Sequence, residues 1–458
     1  MSSEGARLRR PEKKYSDTLK NSNEVTEEDA VKQASQGEEL ESDSESESQK
    51  IQESELELLP EVLATEPLVR KHSWIYRFFQ ALILTIVIPI VALIVFPSPI
   101  SPVEITGLPE PPEFTGALTV NDLLSNAEQI YRGQVSGPES IVVDVDHIYT
   151  GTADGWVNDI HQGTVKKLVR FGSEPCGGIE NENTCGRPLG MRMDKHGFLI
   201  VADAYFGLFQ VNVVTGDYTT LYSSSTPVNG KTPKFLNDLD IDDDGKIYFT
   251  DTSTKWTRNN FPMVFLEGIP DGRLLMYDPV TKKTTQLFEG LLFANGVQVT
   301  RDKTAVLVAE TSKFRIMKFD LATKNLSVWS DRLPGAPDNI RYCKTSGTYW
   351  VGLALITQQG KPSFTHFLAN RPWVRGVIAK VFTINVFLTL KDFFAKTDAK
   401  AMALELNSEG TIIRSLQDKN GAVIKGVSEV EHADGVMYFG SFNANYVGRL
   451  YRKRIPEL

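Results

Sequence analysis

One meander of two strands and a tight turn recurs along the chain, and it carries the same kind of residue at the same place. Counting back seven residues from the turn residues Asp146, Asp244, Asp302 and Ser346 reaches Glu139, Asn237, Asn295 and Asn339, with Asp338 beside the last. The same count from His196 reaches Leu189, and from Asp434 it reaches Val427. The β-branched and aromatic runs Ile247-Tyr248-Phe249-Thr250, Ala305-Val306-Leu307-Val308 and Val436-Met437-Tyr438-Phe439 directly follow turns, as returning strands do. Third strands come next, as in Leu274-Leu275-Met276-Tyr277 and Arg315-Ile316-Met317-Lys318-Phe319. Repeats of about 40–50 residues built only of strands cannot bury their faces alone and indicate propeller blades. Six such copies predict an all-β fold, a six-bladed β-propeller. A lone Asn or Asp before a strand is an ordinary turn residue, but four oxygen-bearing residues in one phase predict a polar site on the axis.

The 458 residues leave room for one large repeat domain with appendages. Of the formal charge of −9, all lies near the start: residues 1–70 hold 9 of the 49 Lys and Arg and 18 of the 58 Asp and Glu, which leaves 40 of each sign. A charge-balanced folded part gives no support for nucleic-acid binding. Residues 1–77 are predicted to form a disordered acidic cytosolic tail, because dense charge and few apolar side chains cannot offset chain entropy. Its Ser/Glu/Asp run at 38–57, with Ser42 followed by an acidic residue three positions on, suits phosphorylation.

Residues 78–96 are apolar except for Gln80, Thr85 and Pro89, a length that matches the roughly 20 residues needed to cross a bilayer. Arg70, Lys71 and Arg77 precede the segment, whereas the Pro-rich stretch after it lacks Lys and Arg. The positive-inside rule then predicts a single-pass type II protein with its N-terminus cytosolic and its large domain extracellular or in the secretory lumen. The sequon Asn325-Leu326-Ser327 is usable only there. So is a bridge between Cys176 and Cys185, which bracket a short polar loop. Cys343 falls in a predicted strand and reads as a small buried apolar residue. Residues 97–135 are assigned to a stalk and lead-in, and 136–458 to the propeller. Within the latter, 364–396 loses strand alternation, and Phe367, Trp373, Val374, Val377, Ile378, Val381 and Phe382 are spaced as a helical stripe. That insert is expected to cap the propeller or to touch membrane lipid, for which Arg371, Arg375 and Lys380 among aromatics are suited.

Cys185-Gly-Arg-Pro-Leu-Gly, Phe235-Leu-Asn-Asp-Leu-Asp, Phe293-Ala-Asn-Gly-Val, Pro334-Gly-Ala-Pro-Asp-Asn and Gly440-Ser-Phe, in this order and spacing, resemble the strictosidine synthase-like family, its membrane-anchored animal branch above all. Asn370-Arg-Pro-Trp in the insert fits the same pattern. The resemblance runs from the apolar segment to the C-terminus and leaves the acidic tail uncovered. The wider superfamily, with paraoxonases and calcium-dependent lactonases, implies a metal on the axis held by Glu139, Asn237, Asn295, Asp338 and Asn339. Two carboxylates and three amides, without His or Cys, suit Ca²⁺ before Zn²⁺.

This sequence departs from the paraoxonase pattern at Leu189, which stands where those enzymes have a proposed histidine base. The plant alkaloid-forming relatives use a glutamate on the sixth blade and lack the metal set. Here Glu429 and Glu431 lie on the face of Val427 if period-two alternation holds, and Glu429 is taken as the candidate base, its carboxyl raised by a dry channel. No Gly-x-Ser-x-Gly elbow is present. The expectation is a calcium-dependent hydrolase of aryl esters or lactones. The alternatives are a non-catalytic cell-surface binding propeller and a condensing enzyme of the strictosidine synthase type.

Overall fold

The computed structural model describes residues 74–361, 363–381 and 400–455. The predicted acidic tail, apart from its last four residues, and the second half of the predicted insert lie outside the described residues. Six four-stranded antiparallel sheets follow one another in sequence order. Blade 1 begins with the inner strand Ile141–Asp144, blade 2 with Pro188–Met193, blade 3 with Leu236–Ile241, blade 4 with Ala294–Val299, blade 5 with Gly335–Cys343 and blade 6 with Glu429–Ala433. The fold is the six-bladed β-propeller that the repeat predicts.

Ring closure uses a strand with no periodic signal. Glu128–Ile130, inside the stretch assigned to stalk and lead-in, pairs antiparallel with Val447–Tyr451 and completes blade 6. Arg449 Nη2 lies 2.7 Å from Glu128 Oε2 across that seam. The first and last parts of the ring are thereby tied by a ladder, not by a loop, which leaves no unpaired edge at the join. Apolar layers fill the gaps between neighbouring blades. Between blades 2 and 3, Ile200, Ala202 and Leu208 pack with Leu239, Phe249 and Leu275, all buried.

The apolar segment is helical over Trp74–Val95, 22 residues without a buried window. It starts four residues earlier than the predicted 78. A π-helical turn at Ile83–Val87 interrupts it just before Pro89. The proline ring would press on the carbonyl of Thr85, and the wider turn makes room for it.

In the insert, two short helices, Phe364–Ala369 and Pro372–Val381, replace the strand pattern as expected. They pack on the helix Pro262–Glu267, which leaves blade 3 between its second and third strands. Arg375 is the knot: fully buried, it donates to the carbonyls of Phe265, Leu266, Ala369 and Val103. Lys380 Nζ donates to Leu93 O at 2.6 Å, a cation on the C-terminal carbonyls of the apolar helix.

Candidate metal centre

Four of the axial positions share a flaw in the inner strand, whereas Glu139 lies just before its strand, Ile141–Asp144. In blades 2 to 5 the ladder between the first two strands skips between Pro188 and Met191, Leu236 and Leu239, Ala294 and Val297, and Pro337 and Ile340. A bulge of this kind leaves two residues facing one and re-aims a side chain. The bulged pairs are Leu189-Gly190, Asn237-Asp238, Asn295-Gly296 and Asp338-Asn339. Gly296 has no side chain for a reason: a Cβ there would collide with the backbone carbonyl of Asp338 in the next blade.

This register corrects the count from the turns in one blade. Blade 5 pairs through Cys343↔Thr348, four rungs below its bulge, whereas blades 3 and 4 stop after three, at Ile241↔Ile247 and Val299↔Val306. Its turn is displaced by one residue, so Asp338, not Asn339, is the counterpart of Asn237 and Asn295. Val427 also differs from expectation. The strand begins only at Glu429, so alternation does not reach back to Val427, which packs in the apolar layer with Trp350, Ala403 and Met437.

Glu139, Asn237, Asn295, Asp338 and Asn339 are all buried. Asn295 Nδ2 donates to Asp338 Oδ1 at 2.7 Å, Asn237 Nδ2 to Thr252 Oγ1 at 3.1 Å and Asn339 Nδ2 to Glu429 Oε2 at 3.3 Å. With every amide nitrogen so engaged, the oxygen of each is turned the other way. Oδ1 of Asn237, Asn295 and Asn339 is buried without a partner among the described residues. Orphaned buried acceptors are rare and call for a ligand.

The carboxyls agree. Burial, then the charge of Glu139, holds Asp338 well above the usual carboxylate range. Glu139 is raised by burial and opposed by Arg187 and Arg258, with Asp238 and Glu429 pushing it further up. Two acids that resist ionising side by side, with three free amide oxygens and no nitrogen or sulfur ligand, fit a hard, oxygen-seeking cation.

Below this layer lies an ionic lattice that sequence reasoning missed. Arg341 Nη1 and Nη2 grip Asp238 at 2.8 and 3.0 Å, and Nη2 also donates to Glu429. Lower still, Arg192 Nε is 3.3 Å from Asp240, whose Oδ2 accepts from Gln298 at 2.5 Å. The available signal was the pair Asp238 and Asp240, acidic residues at period two in a strand otherwise apolar.

Glu429 does lie at the axis, and burial raises its carboxyl as expected. Its oxygens, however, accept from Ser140 Oγ at 3.0 Å, Ile141 N at 2.8 Å, Asn339 Nδ2 and Arg341. Four donors occupy the lone pairs a base would need. This geometry favours Glu429 as a residue that positions Asn339 and Arg341 over the base read from the sequence. Leu189 packs against Ala204 and Phe235, with Tyr205, Phe261 and Phe293 alongside, an apolar wall beside the axial amides. Cys176 and Cys185 form a disulfide, and Cys343 is buried and free.

The description of one matching family model is strictosidine synthase, at residues 237–324, and of another the N-terminal region of strictosidine synthase-like proteins, at 116–160. These set the class. The chain is 43% identical over 363 residues to adipocyte plasma membrane-associated protein of Bos taurus, covering 78% of this chain and 86% of that one. It is 40% identical over 377 residues to the protein of the same name in Homo sapiens, covering 81% and 89%. To strictosidine synthase-like 10 of Arabidopsis thaliana it is 34% identical over 360 residues, covering 75% and 92%. The chain belongs to the strictosidine synthase-like family, among its adipocyte plasma membrane-associated proteins. Among solved structures it is similar to a gluconolactonase from Xanthomonas campestris, with a TM-score of 0.49 and 14% identity over 78% of this chain and 99% of that one. A calcium-binding regucalcin from Agrobacterium tumefaciens gives a TM-score of 0.46 and 12% identity over 71% and 93%.

Proposed function

We propose that this protein is a membrane-anchored, calcium-dependent hydrolase of aryl esters or lactones. The observation that carries the reading is the axial oxygen set, in which three amide oxygens lack partners and burial raises two carboxyls, Asp338 further by the charge of Glu139. Glu139, Asn237, Asn295, Asp338 and Asn339 would hold Ca²⁺. When bound, the ion polarises the substrate carbonyl and offsets the charge that develops on it.

The chain's own groups supply the rest. Phe235 and Phe293, whose rings meet nearly edge-on at 5.9 Å, give with Leu189 a dry wall for an aryl or acyl group. Asn237 and Asn295 orient the carbonyl. Asp338 is held through Oδ1 by Asn295, and its second oxygen, ionised once calcium is bound, takes the proton of the attacking water. Glu429 fixes the amide of Asn339, and Arg341 holds Glu429.

The orientation is type II, with the propeller extracellular or lumenal, the axial site outside the cell and Asn325, exposed at a turn, carrying glycan. The basic residues before the helix, the disulfide and the relatives' plasma-membrane names support this. A second reading, a binding module whose calcium is structural, is favoured by Leu189, since an apolar residue stands at the one axial position where a histidine base is expected. Full-length protein in detergent micelles, assayed against phenyl acetate and lactones with and without chelator, separates the two. Chelator-sensitive turnover supports hydrolysis; calcium binding without turnover supports the module.

A further inference from the structure

Blade 1 carries a second constellation, away from the axis and of different chemistry. His147 on its second strand and His161 on its third are direct cross-strand partners. Their rings stack with centroids 4.0 Å apart and planes within 6°. Tyr149, two residues along the same strand, stacks on the other side of His147 at 5.9 Å. Its partner across the ladder, Asp159, has only 11% of its side chain exposed, and its Oδ1 is 2.6 Å from His147 Nδ1. The tight turn before the second strand, with Val145 at a φ of 54°, delivers Asp146. Asp146 Oδ1 lies 4.0 Å from His147 Nε2, and its Oδ2 lies 3.3 Å from His161 Nδ1.

The proton count makes this arrangement informative. The bond to Asp159 puts a hydrogen on His147 Nδ1, so in the neutral ring Nε2 is a lone pair, and it faces a carboxylate that is also all lone pairs. At 4.0 Å the gap between them takes a bridging water or a cation. A carboxylate donating order to a histidine whose other nitrogen points at further ligands is the arrangement that orients metal-binding imidazoles. We propose that His147 Nε2, His161 Nδ1 and the Asp146 carboxylate bind a transition-metal dication, zinc before others, with Asp159 as the group that holds His147 in place.

Two nitrogens and one carboxylate form a site open at a fourth position, and they prefer zinc to calcium. The axial set, made wholly of oxygen, has the reverse preference, so the two sites do not compete for one ion. Parallel rings cannot both aim at one ion. His161, whose side chain is 32% exposed at its hairpin, therefore tilts out of the stack on loading, while His147 stays on Asp159. Bound metal would clip the second and third strands of blade 1 to the turn that precedes them.

The test uses calcium-saturated full-length protein in detergent micelles at about pH 7.5, where an unperturbed imidazole is mostly neutral. Zinc is titrated against a chromophoric chelator, and cobalt serves as a visible-absorption probe of coordination. One zinc per chain is expected. His147→Gln and His161→Gln should each remove that site, and Asp159→Asn, which leaves every ligand in place, should weaken it about 10–100-fold. His196→Gln, in a turn of blade 2, should change nothing. Thermal melts confirm that each variant is folded. Equal zinc binding in the parent and in the His147→Gln/His161→Gln double variant, or none in the parent, overturns the proposal.

Discussion

Replacing Glu429 by Gln separates the two roles open to that side chain. The carboxylate accepts four hydrogen bonds, one of them from Arg341, and both partners are almost fully buried. An amide has one oxygen and one NH₂ group; three of the donors meet Oε2 and one, Ile141 N, meets Oε1, so with its oxygen at the Oε2 position the amide keeps three and its NH₂ faces Ile141 N. Arg341 keeps its two bonds to Asp238, which limits the damage. Removing the charge from the bond to Arg341 and stranding Ile141 N costs about 3–5 kcal/mol, in the range for breaking a buried pair. For a propeller of this size that lowers the melting temperature by roughly 6–12 °C. Because a neutral amide holds Asn339 less firmly than the carboxylate does, calcium affinity should fall about 10–100-fold, as for other weakened supports of a ligand. Turnover should recover in large part at saturating calcium. Scanning calorimetry, calcium titration and an ester assay on one preparation read all three quantities. An unchanged melting temperature and calcium affinity with turnover abolished would refute the positioning role and restore Glu429 as the base.

Three further outcomes follow from the same structure. Asp338 and Glu139 have folded-state pKa values above the ordinary carboxylate range, so without cation their stabilising contribution is full at low pH and is lost as pH rises through those raised values. Calcium binds the ionised pair, so the melting-temperature gain on adding it should grow as pH rises through those values; a gain independent of pH would contradict the assignment of these carboxyls. Reducing Cys176–Cys185, a bridge nine residues apart in sequence, should destabilise the domain by about 2–3 kcal/mol, and finding both thiols alkylated in native protein would exclude the bridge. Protease added to intact cells should spare the Ser42 region while Asn325 carries glycan, and an accessible N-terminus with bare Asn325 would reverse the topology.

The ring and most of its ligands were legible because both depend on local rules. A strand, a turn and a returning strand have a fixed reach, so a count from the turn finds Glu139, Asn237 and Asn295. The count misses by one at Asp338 because blade 5 adds a rung at Cys343↔Thr348, and ladder length leaves no mark in an apolar strand. Glu128–Ile130 escaped for another reason: three residues have no period, and their pairing with Val447–Tyr451 exists only once the ring closes. The same holds for Arg341 and Asp238, which are 103 residues apart. Buried partners that meet across an axis are set by closure, not by neighbours in sequence. Glu429 does lie at the axis, but alternation gives direction and not the donors that await a side chain.

The central claim is that the axial oxygens hold the calcium that turnover needs, and Asn295→Ala addresses it most directly. The variant removes one orphaned oxygen and one bond to Asp338 without changing charge, while the strand ladders that hold the blade remain. Ester hydrolysis measured against free calcium should show the parent's activity recovered in part, at calcium concentrations about tenfold or more above those the parent requires. An identical calcium dependence in parent and variant, or hydrolysis that persists in both after chelation, would contradict the account.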